Sequence, residues 1–190
     1  MRQYFLLGTI ALVAACSDRA APPAAPAPVS TAAPAPAPVS NAVSNTSTPA
    51  VLSASGVGAV RFGMTLAQAE QASAGKALLP ESFDPACSMV RFPALPKLRF
   101  MVEQGIVTRA DADAGVENAV GVAVGDTLAS IRARHPEARL TAHKYDTNGH
   151  YLSFPSADGR AAIILEESGG KVIKVRAGLQ PAVAYVETCG

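Results

Sequence analysis

The polar and aromatic side chains between positions 143 and 151 form the densest group in this chain with types that suit ligand recognition. The group combines rings with hydrogen-bonding side chains: His143, Tyr145, Asp146, Asn148, His150 and Tyr151. Asn-Gly is a strong turn signal, so a hairpin centred on Asn148-Gly149 is predicted to make Asp146 and His150 close neighbours. Strand alternation then places Tyr145 and Tyr151 on one face. Such an aromatic platform beside Asp, Asn and His suits a sugar ring or a peptide.

Other interpretations of this hairpin stay open. Its tyrosines would equally shield a sheet while its polar groups are solvated, and His143, Asp146 and His150 would hold a metal weakly. We take five residues as candidate ligand contacts and predict neither a metal nor a cofactor. These candidates are Tyr145, Asp146, Asn148, His150 and Tyr151.

Catalytic signatures are missing from the sequence. It has no Gly-x-Ser-x-Gly elbow, no His-Glu-x-x-His and no phosphate-cradling glycine loop. Asp111 and Asp113 share a face if they lie in a strand, but without a partner Glu we expect them at a solvated edge. Glu166 and Glu167 are interpreted in the same way. The chain is therefore predicted not to be an enzyme.

The charge balance argues against nucleic acid as a partner. The chain has 16 Lys and Arg against 15 Asp and Glu, and from Val51 onward there are 14 of each kind. A formally neutral domain lacks the basic face that nucleic-acid binding normally requires.

The first 16 residues have the pattern of an export signal. Arg2 precedes an uncharged, mainly apolar stretch from Gln3 to Ala15, which is too short to span a bilayer. Val13-Ala14-Ala15-Cys16 resembles the bacterial lipobox. That resemblance implies a signal peptide over 1–15, a diacylglycerol on Cys16 and, with Ser17 following, sorting to the outer membrane.

Cys87 and Cys189 remain once Cys16 is assigned to lipid attachment. An exported protein meets oxidising conditions, which favour a disulfide between them. A redox or metal-binding thiol pair is the alternative, but neither a CxxC spacing nor a nearby histidine cluster supports it.

The residues that follow the predicted signal have the composition of a linker. Eight of the chain's 15 prolines lie between Ser17 and Ala50, many in Ala-Pro repeats. Proline removes backbone donors and favours extended neighbours, so residues 16–50 are predicted to be a lipidated, disordered tether. Residues 51–190 are then the folded domain.

An internal repeat organises that domain. Gly63-Met64-Thr65-Leu66-Ala67 matches Gly125-Asp126-Thr127-Leu128-Ala129 at four of five positions. The repeat predicts two units, 56–118 and 119–186. Each begins with a short strand (57–62 and 119–124), continues with a helix capped by Thr, and ends in an antiparallel meander. We expect an α+β fold in which both meanders join one sheet and the helices cover one face.

The segment Val60-Arg61-Phe62-Gly63-Met64-Thr65 resembles the repeat signature of two groups of exported bacterial domains. These are the BamE/SmpA-type outer-membrane lipoproteins and the beta-lactamase inhibitory protein family, which has two units in tandem. The stretch 144–152 is similar to small proteobacterial exported proteins described as lectin-like. These resemblances imply, respectively, envelope lipoproteins, enzyme inhibition and carbohydrate binding.

Together, these patterns predict a lipid-anchored module on the periplasmic face of the bacterial outer membrane. Its expected role is non-enzymatic binding of an envelope protein or a cell-envelope glycan. The alternatives are a lectin-like carbohydrate-binding protein and a proteinaceous inhibitor of an envelope-targeting hydrolase.

Overall fold

The computed structural model describes residues 50–189. Cys16, the predicted signal and all of the predicted tether except Ala50 lie outside the described residues. Within 50–189 the chain forms two helices and ten strands, so the predicted α+β class is confirmed. The helices are α1 (Leu66–Ala72) and α2 (Leu128–Arg134). The strands are β1 (Leu52–Ser53), β2 (Gly56–Val57), β3 (Val60–Arg61), β4 (Cys87–Val90), β5 (Leu98–Glu103), β6 (Ile106–Ala112), β7 (Arg139–Ala142), β8 (His150–Pro155), β9 (Ala161–Ser168) and β10 (Lys171–Leu179).

Two antiparallel sheets contain these strands. A small sheet has the order β1-β2-β3, and a seven-stranded sheet has the order β4-β5-β6-β10-β9-β8-β7. The central pair of the large sheet, β6 with β10, aligns Asp111 with Arg176 and Ala110 with Ala177. Residues far apart in the sequence therefore meet at the middle of the sheet.

The helix starts follow the sequence prediction. The Thr65 hydroxyl accepts from the Gln68 backbone at 3.2 Å, and the Gln68 side chain accepts from the Thr65 backbone at 2.9 Å, which is a capping box. Thr127 caps α2 through the Ser130 backbone at 3.2 Å. Helix α1 ends at Ala72, because Ala74 adopts a left-handed conformation (φ 54°).

Two tight turns fix the long hairpins. Gln104-Gly105 joins β5 to β6, and Gly169-Gly170 joins β9 to β10. All four residues have positive φ, as a type I′ turn requires. Glycine at the second position of each turn adopts positive φ without a steric penalty, so both sequences favour a two-residue hairpin.

The predicted strand over 119–124 was wrong. These residues form turns and loops that are held by Asn118, which is buried. Its carboxamide oxygen accepts from the Val120 and Val122 backbones, and its amide nitrogen donates to the Val122 carbonyl at 2.7 Å. Gly121 then takes a positive φ that a strand does not allow.

The predicted strand over 57–62 is interrupted. Gly58 has a φ of 55°, which turns the chain back and pairs Val57 with Val60 across β2 and β3. A tight hairpin therefore replaces one continuous strand.

The main core lies on one face of the large sheet. Ala69 from α1 and Ile131 from α2 are fully buried in the same cluster as Phe100, Val107 and Leu165. In this part of the chain, no helix is long and apolar enough to cross a membrane.

The opposite face of the sheet is covered by the last residues of the chain. Ala162 and Ile164 alternate with core residues along β9 and pack with Val183, which lies in a short 3-10 helix (Ala182–Ala184). We refer to residues 180–189 as the C-terminal segment.

Candidate binding surface

The residues between β7 and β8 form a wide loop instead of the predicted two-residue turn. The His143 backbone donates to the Gly149 carbonyl at 3.0 Å, and the Gly149 backbone donates to the Asp146 carbonyl at 3.0 Å. The Asp146 carboxylate accepts from the Asn148 backbone at 2.9 Å and from the Ser168 hydroxyl at 2.5 Å. These side-chain bonds close the loop, because Asp readily forms an Asx turn two residues ahead.

The two candidate tyrosines lie in different surroundings. Tyr145 is 66% exposed, with the Lys144 ammonium 4.9 Å from its ring centre and its hydroxyl hydrogen-bonded to Glu187. Tyr151 is half-buried and stacks on His143, with ring centres 4.7 Å apart. Each ring contacts His143, so the expected continuous tyrosine platform is divided by an imidazole.

The polar candidates also have separate partners. His150 Nδ1 lies 2.7 Å from the Glu167 carboxylate, whereas Asp146 bonds to Ser168. Asn148 is exposed, and its backbone donates to Asp146. Asp146 and His150 therefore bind adjacent residues of β9, Ser168 and Glu167.

The hydrogen bonds of His143 indicate its tautomer. Its Nδ1 accepts from the Tyr145 backbone at 3.1 Å and from the Asp146 backbone at 3.0 Å. Because Nδ1 accepts, the proton lies on Nε2, which donates to Glu166 at 3.2 Å. Both ring nitrogens are thus occupied. No group of three metal-ligating side chains lies together among residues 50–189.

Three carboxylates expected at solvated edges are buried, so that expectation was wrong. Asp111 is 9% exposed, Glu166 3% and Glu167 1%. Glu167 bonds to His150 and to the Gly170 backbone at 2.7 Å. Asp113 differs, since half of its side chain is exposed beside Arg91.

Asp111 and Glu166 belong to a buried charge network with Arg109 and Arg176. Arg109 holds Asp111 with two bonds, at 2.6 and 3.1 Å, and Arg176 Nη1 donates to Glu166 at 2.9 Å. The arginine side chains are only 2% and 3% exposed. Burial of this kind requires paired and hydrogen-bonded charges. The signal available in the sequence was an Arg and an Asp two residues apart in one strand, which places both on the same face.

The C-terminal segment completes this network. Arg109 donates to the Tyr185 carbonyl at 2.8 Å, and Arg176 donates to the Val183 carbonyl at 2.9 Å. The predicted Cys87–Cys189 disulfide is present, with Cα atoms 5.4 Å apart, and joins the end of this segment to β4. The disulfide therefore helps to hold the C-terminal segment over the buried charge network.

The electrostatics of the network follow from its pairing. Burial by itself raises the pKa of Glu166. The His143 hydrogen bond and the positive charges of Lys174 and Arg176 lower the pKa by more than burial raises it, so the net pKa is below the ordinary value of a glutamate. Burial and the charge of Arg109 lower the pKa of Arg176, although a guanidinium stays protonated in a protein. Glu166 is therefore an ionised carboxylate that both Lys174 and Arg176 contact.

No family model, curated protein or solved structure matches the chain. Its function is therefore argued from its own surface and charges.

Proposed function

We propose that this chain is a lipid-anchored binding protein of the bacterial outer membrane that contacts an envelope protein or a cell-envelope glycan without chemical turnover. The observation that carries the proposal is the exposed end of the 143–151 segment. There Tyr145 presents most of its ring to solvent, between the Lys144 ammonium and the Glu187 carboxylate. An exposed aromatic with both charges beside it offers apolar contact together with polar selectivity.

The proposed location rests on the sequence. A lipid on Cys16 would anchor the protein, and residues 16–50 would hold the domain away from the membrane. Ser17 fits outer-membrane sorting with the domain in the periplasm, by resemblance to known lipoproteins.

Binding without turnover is supported by how the ionisable groups are used. In the described range, no buried side-chain nitrogen or oxygen lacks a hydrogen-bond partner. Hydrogen bonds from partners inside the protein are accepted by the carboxylates of Asp111, Glu166 and Glu167. Groups held in this way stabilise the fold and are poorly placed to exchange protons with a substrate.

A tandem duplication belongs to the same proposal, and matched contacts support it. Gly63 donates to the Val107 carbonyl at 2.8 Å, and Gly125 donates to the Val172 carbonyl at 2.8 Å. The ladder also skips one residue at the corresponding place in each hairpin, Thr108 in β6 and Ile173 in β10. This likeness is the observation that favours the second candidate function, inhibition of an envelope-targeting hydrolase.

The test is a comparison of capture by two variants. Tyr145→Ala removes the exposed ring, and Leu78→Ala is the matched control, because Leu78 is 59% exposed and bridges to Arg91, next to β4 at the opposite edge of the sheet. We expect Tyr145→Ala to lose the main partner in a crosslinking pull-down from the native envelope, or to lose binding to a glycan array. Equal capture by wild type, Tyr145→Ala and Leu78→Ala would refute the proposed surface.

The same experiment separates the alternatives. A lectin-like protein retains glycan binding on an array without any other protein, whereas an inhibitor co-purifies with one dominant hydrolase and lowers its activity. Mass spectrometry that finds Cys16 unmodified in the mature protein would overturn the proposed location.

A further inference from the structure

A charged cavity of about 270 Å³ lies between β5, β6 and β10. It opens on the face of the sheet that carries the C-terminal segment, since Arg176 in its lining also donates to the Val183 carbonyl. Its charged lining residues are Arg99, Asp111, Asp113, Lys174 and Arg176. Arg99 is paired with Asp111 in the ladder, and Asp111 with Arg176, so three neighbouring strands bring these charges together.

The positive groups of this cavity keep donors to spare. The Arg99 side chain is exposed and makes no hydrogen bond or ion pair within the described range, although its backbone lies in the β5–β6 ladder. The Lys174 side chain is 59% exposed and uses its ammonium for one bond, to Glu166 at 3.2 Å. Arg176 uses Nε and Nη1, and its Nη2 has no described partner.

The two carboxylates that line the cavity already have cationic partners. Asp111 accepts two bonds from Arg109, and Asp113 lies 3.4 Å from Arg91 with half of its side chain exposed. Arg109 pairs with Asp111, Arg91 pairs with Asp113, and Lys174 and Arg176 share Glu166. Arg99 is thus the lining cation that has no carboxylate partner among the described residues. One unpaired cation suits a monoanion better than a dianion such as phosphate, which Asp111 and Asp113 would repel.

We propose that this cavity binds an acidic sugar unit through its carboxylate. The planar guanidinium of Arg99 matches a carboxylate with two parallel bonds, and the Lys174 ammonium adds a third donor. Asp113 accepts from a sugar hydroxyl. A volume of about 270 Å³ is below the range of drug-sized pockets and fits one monosaccharide. A free amino acid fits less well, because its ammonium cancels the charge that the cavity selects.

The cavity adjoins the 143–151 segment, because Glu166 contacts both Lys174 and His143 and the Arg176 guanidinium lies 5.3 Å from the Tyr151 ring centre. The contacts of Tyr145, with Lys144, His143 and Glu187, involve none of the lining residues. The proposal therefore holds or fails independently of the surface around Tyr145. Tyr145→Ala is expected to leave acidic-sugar binding unchanged.

The experiment is an NMR titration of the mature, disulfide-bonded protein with glucuronate. We expect saturable shifts at residues 99, 111–113 and 174–176, with a Kd on the order of 1 mM for so small a ligand. Glucose, which lacks the carboxylate, is expected to produce no saturable shift.

Two variants and their control test the assignment. Arg99→Gln and Lys174→Gln each remove one charge from an exposed side chain and should weaken binding about tenfold. Arg132→Gln removes an exposed charge from α2 and should leave binding unchanged.

Three results would overturn the proposal. They are the absence of saturable shifts with glucuronate, equal binding of glucose, and tighter binding of phosphate or N-acetylalanine than of glucuronate. Capture of an envelope partner through Tyr145 together with any of these results would leave the proposed function standing and reject the cavity alone.

Discussion

Glu166→Gln removes one negative charge from the buried charge network and hardly changes the volume of the side chain. Wild-type Glu166 accepts from Arg176 at 2.9 Å and from Lys174 and His143 at 3.2 Å each. The Arg176 side chain is 3% exposed, so the variant leaves a buried guanidinium without its counterion.

The expected loss follows from this geometry. Two unit charges about 4 Å apart attract by about 4 kcal/mol at an effective dielectric constant near 20. The cost of desolvating Arg176 stays unchanged in the variant. Breaking a buried pair by removing one partner costs about 3–5 kcal/mol, so we expect the free energy of unfolding to fall by about 3 kcal/mol.

Urea denaturation of the oxidised protein, with the slope m checked against wild type, measures this change. Glu137→Gln is the matched control, because Glu137 also has a hydrogen-bonded partner, His135 at 3.1 Å, but is 65% exposed. Such a surface pair contributes at most about 1 kcal/mol. A loss in Glu166→Gln no larger than in Glu137→Gln would refute the argument that the network is buried and paired.

A double variant separates lost charge pairing from lost packing. Glu166→Leu with Arg176→Met removes both charges, and replacing a buried pair with apolar residues is often close to neutral. We expect this protein to be more stable than Glu166→Gln. The opposite order would show that the charges themselves stabilise the sheet.

The remaining predictions concern backbone approach, the disulfide and pH. Gly178→Ala is expected to lose about 2 kcal/mol of unfolding free energy, because an added Cβ would lie 2.4 Å from a backbone oxygen of the neighbouring strand; Gly75→Ala, where the nearest atom is 3.9 Å away, is the control, and equal stability of the two in urea would contradict this. Replacing Cys87 and Cys189 with Ser should lower stability by up to ~4.7 kcal/mol, since the bridge closes a sequence separation of 102 residues. Amide hydrogen exchange should then rise first in residues 180–189. Unchanged protection there would contradict the idea that the disulfide holds the C-terminal segment in place. The lowered pKa of Glu166 means that its stabilising contribution is present above the unfolded value and is lost as pH falls through the folded value; stability should therefore fall on acidification, less steeply in Glu166→Gln, and parallel pH profiles would contradict the assignment.

Local chemistry explains what was predictable in the fold. Thr65 with Gln68 defines a capping box within four residues, and Gly169-Gly170 defines a type I′ turn within two. Neither feature needs information from elsewhere in the chain. Asn118 shows the limit, because its side chain takes over the hydrogen bonds of the following residues and prevents the strand that an apolar run indicates.

The geometry of the candidate segment was predictable only in part. The sequence identified the 143–151 segment, where the exposed ring of Tyr145 lies. It did not identify the Asx turn of Asp146 or the imidazole that separates Tyr145 from Tyr151. Those details depend on Ser168 and Glu166, which reach the segment from a strand that comes later in the chain.

By itself, the sequence determined the α+β class, the helix caps, the tight turns and the Cys87–Cys189 pair, because each depends on neighbouring residues or on cysteine number. Only the tertiary structure decided that Asp111 and Glu166 are buried. Their partners Arg109 and Arg176 lie on the central strands β6 and β10, and the C-terminal segment closes over them. Burial of a charge depends on which distant segments exclude water from it, and strand order sets those segments.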